Sequence, residues 1–397
     1  MQSSLLLLIS NGPCFAVACV WLVPALVIAV RRRGTPSLDD VSDVAPEDAP
    51  LVSVILPARN ERAHIVACVE AMRRTTWPRV EIVVVDDHST DGTGQLARAT
   101  ANGDARVRVI DAPDLPHGWF GKQWACEVGA AAASGSLLLF TDADTRHSPD
   151  LLTRLVSVRA ERKAELMSIA GRQDMITVWE QAVQPLVFTM ILLRYGSTYH
   201  IEHAVRASDV IANGQCFMLS RTAYDAVGRH AAVREYVAED MMMAQAVWTN
   251  GGRISLVVGI EQLRTRMYTG LGSLMRGWGK NMYAGGRYAV RGGAVGRMLY
   301  PLVLPLVPLF MLAPFVSLAI AVARTVAGAS SMSLLLCSTL ASLGVVTTFA
   351  QANRLNRAPL YRALLAPLGA LVVLIICLTA VWRGRRVQWK ERNYRAA

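Results

Sequence analysis

Apolar positions along this chain fall into two kinds of run. Residues 5–30, 299–323, 325–353 and 363–382 hold no charged side chain, and each stretch can supply the ~20 residues that a membrane-spanning helix needs. Between the first and second of these lies a block of about 260 residues with ordinary polarity and much shorter apolar runs. In that block, residues 52–56 read as a buried strand closed by Pro57. Apolar spacing over 63–73 predicts a helix. Residues 81–85 are apolar and β-branched, a second strand that ends in Asp86 and Asp87. A helix over 94–101, a short strand over "RVRVIDAP", an alanine-rich helix over 123–133 and a strand over 137–140 follow. Strands alternating with helices predict an α/β domain with a doubly wound, mostly parallel sheet.

The predicted organisation is a membrane anchor (1–33), a linker (34–50) and a globular domain (51–283). A basic juxtamembrane segment (284–297), about three further spans (298–382) and a basic tail (383–397) complete it. The first span has neither the basic leader nor the cleavage site of a signal peptide, and Arg31, Arg32 and Arg33 follow it directly. Those arginines predict a retained anchor with the globular domain on the cytoplasmic side of a cell membrane.

Charge sharpens this picture. From Gln262 onward there are 17 Lys or Arg and one acidic residue, Glu391, which leaves 24 basic and 29 acidic residues before it. The net charge of +11 therefore comes from the membrane-flanking third. Arginines beside apolar spans suit anionic lipid head groups rather than nucleic acid. One conflict stands: three spans after a cytoplasmic domain put the tail outside, whereas Arg383, Arg385, Arg386 and Lys390 favour the inside. A re-entrant or interfacial segment around Pro301, Pro305, Pro308 and Pro314 is one way out. The seven cysteines have no CxxC spacing, so neither a zinc site nor a disulfide framework is expected.

Ligands of open α/β sheets collect at the carboxyl ends of the strands. Three acidic places fit that rule: Arg59-Asn60-Glu61, Asp86-Asp87 and Asp142-Ala143-Asp144. One acidic residue after a strand is ordinarily a helix cap, but two clusters on one sheet edge point to a ligand. Asp142 and Asp144, packed together, repel each other unless a cation intervenes. With no His or Cys cluster nearby, and His147 read as a solvated loop residue, the expected ion is Mg2+ or Mn2+ shared with phosphate oxygens. A nucleotide diphosphate compound is the implied ligand. His200 and His203 read as surface residues, Met241 to Met243 as packing residues, and "VWEQAVQPLVFTMILLRYG" as an interfacial helix.

The stretches "VSVILPARNE", "VEIVVVDDHSTDGT", "GWFGKQWACEVGAAAASGSLLLFTDAD" and "VREYVAED" resemble, in order and spacing, the motifs of family 2 glycosyltransferases, which have the GT-A fold. "LPHGWFGKQWA", "ANGQCFMLSRTAYDAVG", "RMYTGLGSLMRGWGKNMYAG" and "VQWKERNY" are similar to a membrane-bound subgroup associated with hopanoid and carotenoid pathways. The resemblance implies that Pro57, Ala58, Asn60, Glu61, Asp86, Asp87, Lys122 and Asp142 line the nucleotide. It makes Asp142 and Asp144 the metal-binding pair. Glu239 and Asp240 match the later acidic pair, whose aspartate is the general base in inverting members. Of the processive motif QxxRW only Trp278 survives, which favours one sugar per acceptor, with Trp278 and Arg276 on the acceptor side.

The expected function is an inverting, non-processive transfer of a sugar from a nucleotide donor, UDP-linked by expectation, to a lipid hydroxyl in the membrane. Two alternatives stay open: transfer to a polyprenyl phosphate, and a membrane-tethered nucleotide-binding protein without catalysis. A transporter is disfavoured because the spans carry almost no ionisable residues. The sugar, the lipid and the oligomeric state are not legible.

Overall fold

A computed structural model describes residues 16, 18–31, 35–329, 332–384, 386–389 and 392–395. Eight strands form one mixed sheet in the order β3-β2-β1-β4-β7-β6-β8-β5. Its parallel half is β1 (Val52–Ala58), β2 (Val80–Asp86), β3 (Val107–Asp111) and β4 (Leu137–Thr141). All five residues of β4 are buried, and β1 and β2 nearly match it. Such continuous burial is what parallel strands covered on both faces require. The covering helices are α2 (Ile65–Arg73), α3 (Thr93–Ala101), α4 (Gly121–Ala132) and α5 (Leu151–Arg162). Pro57 does not end β1, which stays paired with β2 through Ala58, and Asp87 N donates to Ala58 O at 2.8 Å.

Beyond β4 the direction alternates. β7 (Cys216–Ser220) runs antiparallel to β4 and to β6 (Leu166–Gln173). β8 (Ile254–Thr265) is parallel to β6, and β5 (Thr145–His147) lies antiparallel on the edge of β8. The sheet is therefore mixed rather than doubly wound throughout. His147 is also not the solvated loop residue expected. It is buried in β5, its Nε2 lies 2.9 Å from Thr141 Oγ1, and burial pushes its pKa down to about 3. It is a neutral packing residue beneath the acidic turn after β4.

The expected N-terminal membrane helix is shorter than predicted among the described residues. α1 (Val23–Arg31) belongs to an apolar helical stretch, Val20–Val30, that is too short to count as a crossing. Most of the preceding stretch, together with Arg32 and Arg33, lies outside the described residues. In the last third, three segments are long and apolar enough to cross a membrane: Gly293–Val326, Met332–Leu355 and Leu360–Arg383. The first is α11 (Gly293–Val303) and α12 (Leu306–Val326), separated at Leu304 and Pro305, so the proline-rich region is helical. The other two contain α13 (Met332–Leu355) and α14 (Ala366–Arg383).

α6 (Val178–Tyr195) joins the two regions. It starts at a capping box between Thr177 and Glu180 and packs lengthwise on α14. Gly369 of α14 faces the Ala182 carbonyl so closely that any side chain there would collide with it. Val183, Leu186 and Val187 share a core with Phe349, Val373 and Ile376, so α6 is covered by the apolar helices, not laid bare as the interfacial helix expected from its sequence.

The chain's path through these helices returns to the domain twice. Past the end of α13, the Asn356 side chain bonds both backbone groups of Gln173 at 2.7 Å, and Arg357 pairs with Asp39 and Glu261. In the short turn before α14, Arg362 donates to Met175 O at 3.3 Å; within α14, Cys377 Sγ lies 3.6 Å from Met282 Sδ. A final hairpin, β9 (Arg386–Trp389) with β10 (Arg392–Arg395), follows.

Candidate active site

At the carboxyl ends of β1, β2 and β4 a cavity of about 2120 Å³ opens, several times what a drug-sized ligand needs. One end is polar, with Pro57, Ala58, Arg59, Asp87, Lys122, Asp142, Asp144, Glu239 and Asp240 on its walls. The other runs between the apolar helices, past Ile28, Phe188, Ile191, Val303, Leu304 and Val307. A cluster of charged side chains and a greasy chamber thus share one space.

The centre of the polar end is Lys122, on the first turn of α4. Its Nζ lies 2.7 Å from Asp142 Oδ1 and 2.7 Å from Glu239 Oε1. Burial opposes the charge on this lysine, but the two carboxylates outweigh it and hold its pKa well above the ordinary range. Glu239 feels the converse: burial raises its pKa, and Lys122 brings it below the usual value.

Asp240, next in sequence at the start of α9 (Glu239–Thr249), has no such cation at contact. Burial first, and then the neighbouring charge of Glu239, push its pKa up to about 7. Its carboxylate is aimed by two backbone donors, Gly214 N to Oδ2 at 2.5 Å and Met241 N to Oδ1 at 2.8 Å. A Cβ on Gly214 would lie 2.8 Å from that Oδ2, so only glycine lets the loop before β7 approach so closely. Two adjacent carboxylates with pKa values driven apart are how one site separates a charged partner from a proton acceptor.

Asp142 and Asp144 leave β4 in a turn buttressed from below. Thr145 Oγ1 donates to Asp142 O at 2.6 Å, and Thr141 Oγ1 donates to Gln215 O at 2.8 Å. Both aspartates line the cavity. Among the described residues no group of three His, Cys, Asp or Glu side chains forms a complete metal cage. Two carboxylates and no softer donor fit Mg2+ or Mn2+ whose other ligands come from a diphosphate and water.

The remaining expected residues divide. Glu61 and Asp87 line the cavity, whereas Asp86 does not: its Oδ1 accepts from Ser89 N at 3.3 Å in the turn ahead of α3, whose N-cap is Gly92, so it is not the helix cap weighed from the sequence either. Asn60 ties two loops together, accepting Thr90 N at 2.9 Å from a left-handed backbone with φ 51°. Arg276 and Trp278, on α10 (Leu271–Lys280), line the wider part. Trp278 is wedged edge-on between Phe188 and Tyr268, and its buried Nε1 has no hydrogen-bond partner among the described residues. Residues not singled out from the sequence are Gly214, Lys280 and Arg392. Lys280 lines the cavity; burial lowers its pKa against the pull of Glu239 and Asp142. It stands in the quoted "GWGKNMYAG", where only the tryptophan had a motif to mark it.

Residues 53–228 match the family described as "Glycosyl transferase family 2". Over that stretch, a little under half of its length, the chain is similar to glycosyltransferase family 2. Among curated proteins, members of the family similar to it include the 4,4'-diaponeurosporenoate glycosyltransferases of Staphylococcus haemolyticus, 24% identical over 237 residues, and Staphylococcus aureus, 25% identical over 246 residues. Each match covers 59% of this chain and 61% of the relative, so the chain spans about three fifths of their length. Among solved structures, a mannosyltransferase from Pyrobaculum calidifontis in complex with GDP-Man and Mn2+ superposes with a TM-score of 0.58 at 20% identity, covering 90% of this chain and 98% of that one. The GT-A-like family fold is thus found here together with the apolar helices.

Proposed function

We propose that the protein transfers a single sugar from a nucleotide-diphosphate donor to a hydroxyl of a lipid acceptor, with inversion at the anomeric carbon. The observation that carries this reading is the continuity of the cavity: Asp142, Asp144 and Asp240 open onto the same space as the apolar walls from α6 and α12. The similar staphylococcal proteins are named for 4,4'-diaponeurosporenoate, a carboxylate rather than an alcohol, so they support sugar transfer while the hydroxyl rests on Asp240.

The nucleotide end would be held by Pro57, Ala58, Glu61 and Asp87, with Lys122 beside the diphosphate. A divalent cation held by Asp142 and Asp144 supplies neutralising charge for the departing diphosphate. Asp240 takes the acceptor proton, since an acid with a pKa near 7 is both ionised and basic enough at neutral pH. Glu239 keeps Lys122 in place and keeps Asp240 from ionising early. Arg276 and Trp278 face the acceptor. The cytoplasmic face of a cell membrane is the proposed location, with the domain drawing its acceptor from the bilayer.

One observation favours a second reading, a polyprenyl-phosphate acceptor. Arg266, Arg276, Lys280 and Arg291 all line the cavity, a cationic set suited to an anion. The deciding experiment incubates purified protein with a panel of UDP- and GDP-sugars, Mn2+, and either a lipid alcohol or a polyprenyl phosphate. An inverted glycoside on the alcohol supports the first reading. A retained anomer, or transfer to the phosphate alone, discards it.

A further inference from the structure

Arg392 sits 305 residues from Asp87 in sequence, yet its guanidinium forks onto that carboxylate: Nη1 donates to Oδ2 at 2.8 Å and Nη2 to Oδ1 at 3.3 Å. The Asp87 side chain is 2% exposed, and Arg59 Nη1 approaches the same Oδ1 at 3.8 Å. Two residues along β10, the Tyr394 ring stacks on Phe120 with centroids 4.2 Å apart and planes within 20°. The Tyr394 hydroxyl accepts from Gly121 N at 3.4 Å. Phe120 and Gly121 lead directly into Lys122. One hairpin therefore grips both rims of the polar end, the loop after β2 and the start of α4.

We infer that this hairpin is a wall of the donor pocket and that Arg392 is a positioning residue acting through Asp87; this rests on the nucleotide-donor reading above. A carboxylate offers about four acceptor sites, and the Arg392 fork uses one on each oxygen. The plane of the carboxylate is thereby fixed; His88 Nδ1 also lies 3.3 Å from Oδ1, so the remaining lone pair on Oδ2 is the one left for a hydroxyl or N–H donor of a nucleoside in the cavity that Asp87 lines. Arg59 alone cannot do this, because its Nη1 is spent on the Asp87 and His88 carbonyls, at 2.5 and 3.4 Å. Tyr394 adds a second anchor, so the hairpin sets the spacing between Asp87 and the Lys122 rim. An exposed ion pair would contribute little, but this one has a buried acceptor and bidentate geometry.

The test uses the full chain, purified in detergent, and measures binding of UDP and of GDP with Mn2+ by calorimetry, together with donor KM and kcat. Arg392→Ala should weaken the bound nucleotide about tenfold or more, with kcat at saturating donor little changed. Arg392→Lys, which keeps the charge but not the fork, should fall between. Adding Arg392→Ala to Asp87→Asn should cost no more than Asp87→Asn alone, the mark of two residues acting as one. Wild-type affinity in Arg392→Ala, or losses that simply add in the double variant, would overturn the inference. If Arg392→Ala does not fold, Arg392→Lys and Tyr394→Leu carry the same comparison, and unchanged nucleotide affinity in both overturns it. Should the parent protein bind neither nucleotide, the donor reading itself falls, and the role of the hairpin with it.

Discussion

Replacing Asp240 by Asn separates what the carboxylate does for catalysis from what it does to the fold. An aspartate ordinarily titrates near 3.8, and here the value is about 7. At 1.36 kcal/mol per pH unit, that displacement corresponds to about 4 kcal/mol in favour of the neutral acid. A carboxyl whose pKa is raised by folding contributes stability that is fully present below 3.8 and lost as pH rises to about 7. The charged carboxylate is thus a burden on the folded protein at the pH where a general base must work. Asp240→Asn removes that burden. Its thermal midpoint should exceed the parent's at pH 8, and the advantage should shrink as pH approaches 4.

Activity should move in the opposite direction. In the parent, kcat/KM for a hydroxyl acceptor should fall below pH 7 as Asp240 takes up its proton. Loss of a general base costs about 10²- to 10⁴-fold. The assay is radiolabelled sugar transfer to lipid from pH 5 to 9, beside melting curves in the same buffers. A variant that is stabilised at pH 8 and inactive there fits the reasoning. Substantial remaining transfer, or an acid limb near pH 7 that persists without Asp240, would refute the assignment of the base and turn attention to a phosphate acceptor, which needs none.

Other outcomes follow from the same geometry. Asp142→Asn and Asp144→Asn should each abolish the Mn2+ enhancement of nucleotide binding; Asp144→Asn should leave the melting temperature close to the parent's, whereas Asp142→Asn should lower it by stripping buried Lys122 of one of its two carboxylates, and chelation of divalent ions should silence the parent until Mn2+ or Mg2+ is restored. Gly214→Ala should lower kcat by an order of magnitude or more, because its Cβ would lie 2.8 Å from Asp240 Oδ2 and displace the base, an effect visible by comparing kcat with an unchanged donor KM. Trp278→Phe keeps a ring between Phe188 and Tyr268 but removes the unpartnered Nε1; raised acceptor KM with unaltered stability is expected, and an unaltered KM would make the ring mere packing. In sealed vesicles that expose the catalytic domain, a reagent should label a cysteine placed by Tyr394→Cys and miss one placed by Gly328→Cys, in a background without other cysteines.

The half of the sheet that builds the donor end was legible because parallel strands buried on both faces leave unbroken apolar runs, and each run stopped at its acidic turn. β5, β6, β7 and β8 left no such trace. Their pairing is set across the sheet, as when Thr145 aligns with Thr265, and the same pairing buries a histidine that reads locally as a loop residue beside Arg146. Lys122, Asp142 and Asp240 were legible through motif spacing. Their division of labour was not, because it depends on Lys122 standing 2.7 Å from Glu239 while Asp240 faces backbone donors instead. Arg392 lay in a quoted motif, yet nothing in its neighbours marks a residue that folds back over the domain.

That return bears on the conflict in the charge pattern. The turn between α12 and α13 lies at the far end of a helical hairpin that leaves the domain near Tyr300, whose hydroxyl donates to Met282 O, and comes back at Asn356. The turn before α14 lies beside Met175; α14 then passes Met282, and the chain beyond it brings Arg392 to Asp87. We propose from this path that α12 and α13 are the crossing pair and that α14 lies along the domain, which would leave the basic tail on the catalytic side, where its arginines favour it. The same path makes α14 a shared wall: one face packs on α6, which lines the apolar end of the cavity, and the chain beyond it brings Arg392 to Asp87 at the polar end. Under the proposed function, a change in how the apolar helices pack would therefore be felt at the nucleotide end.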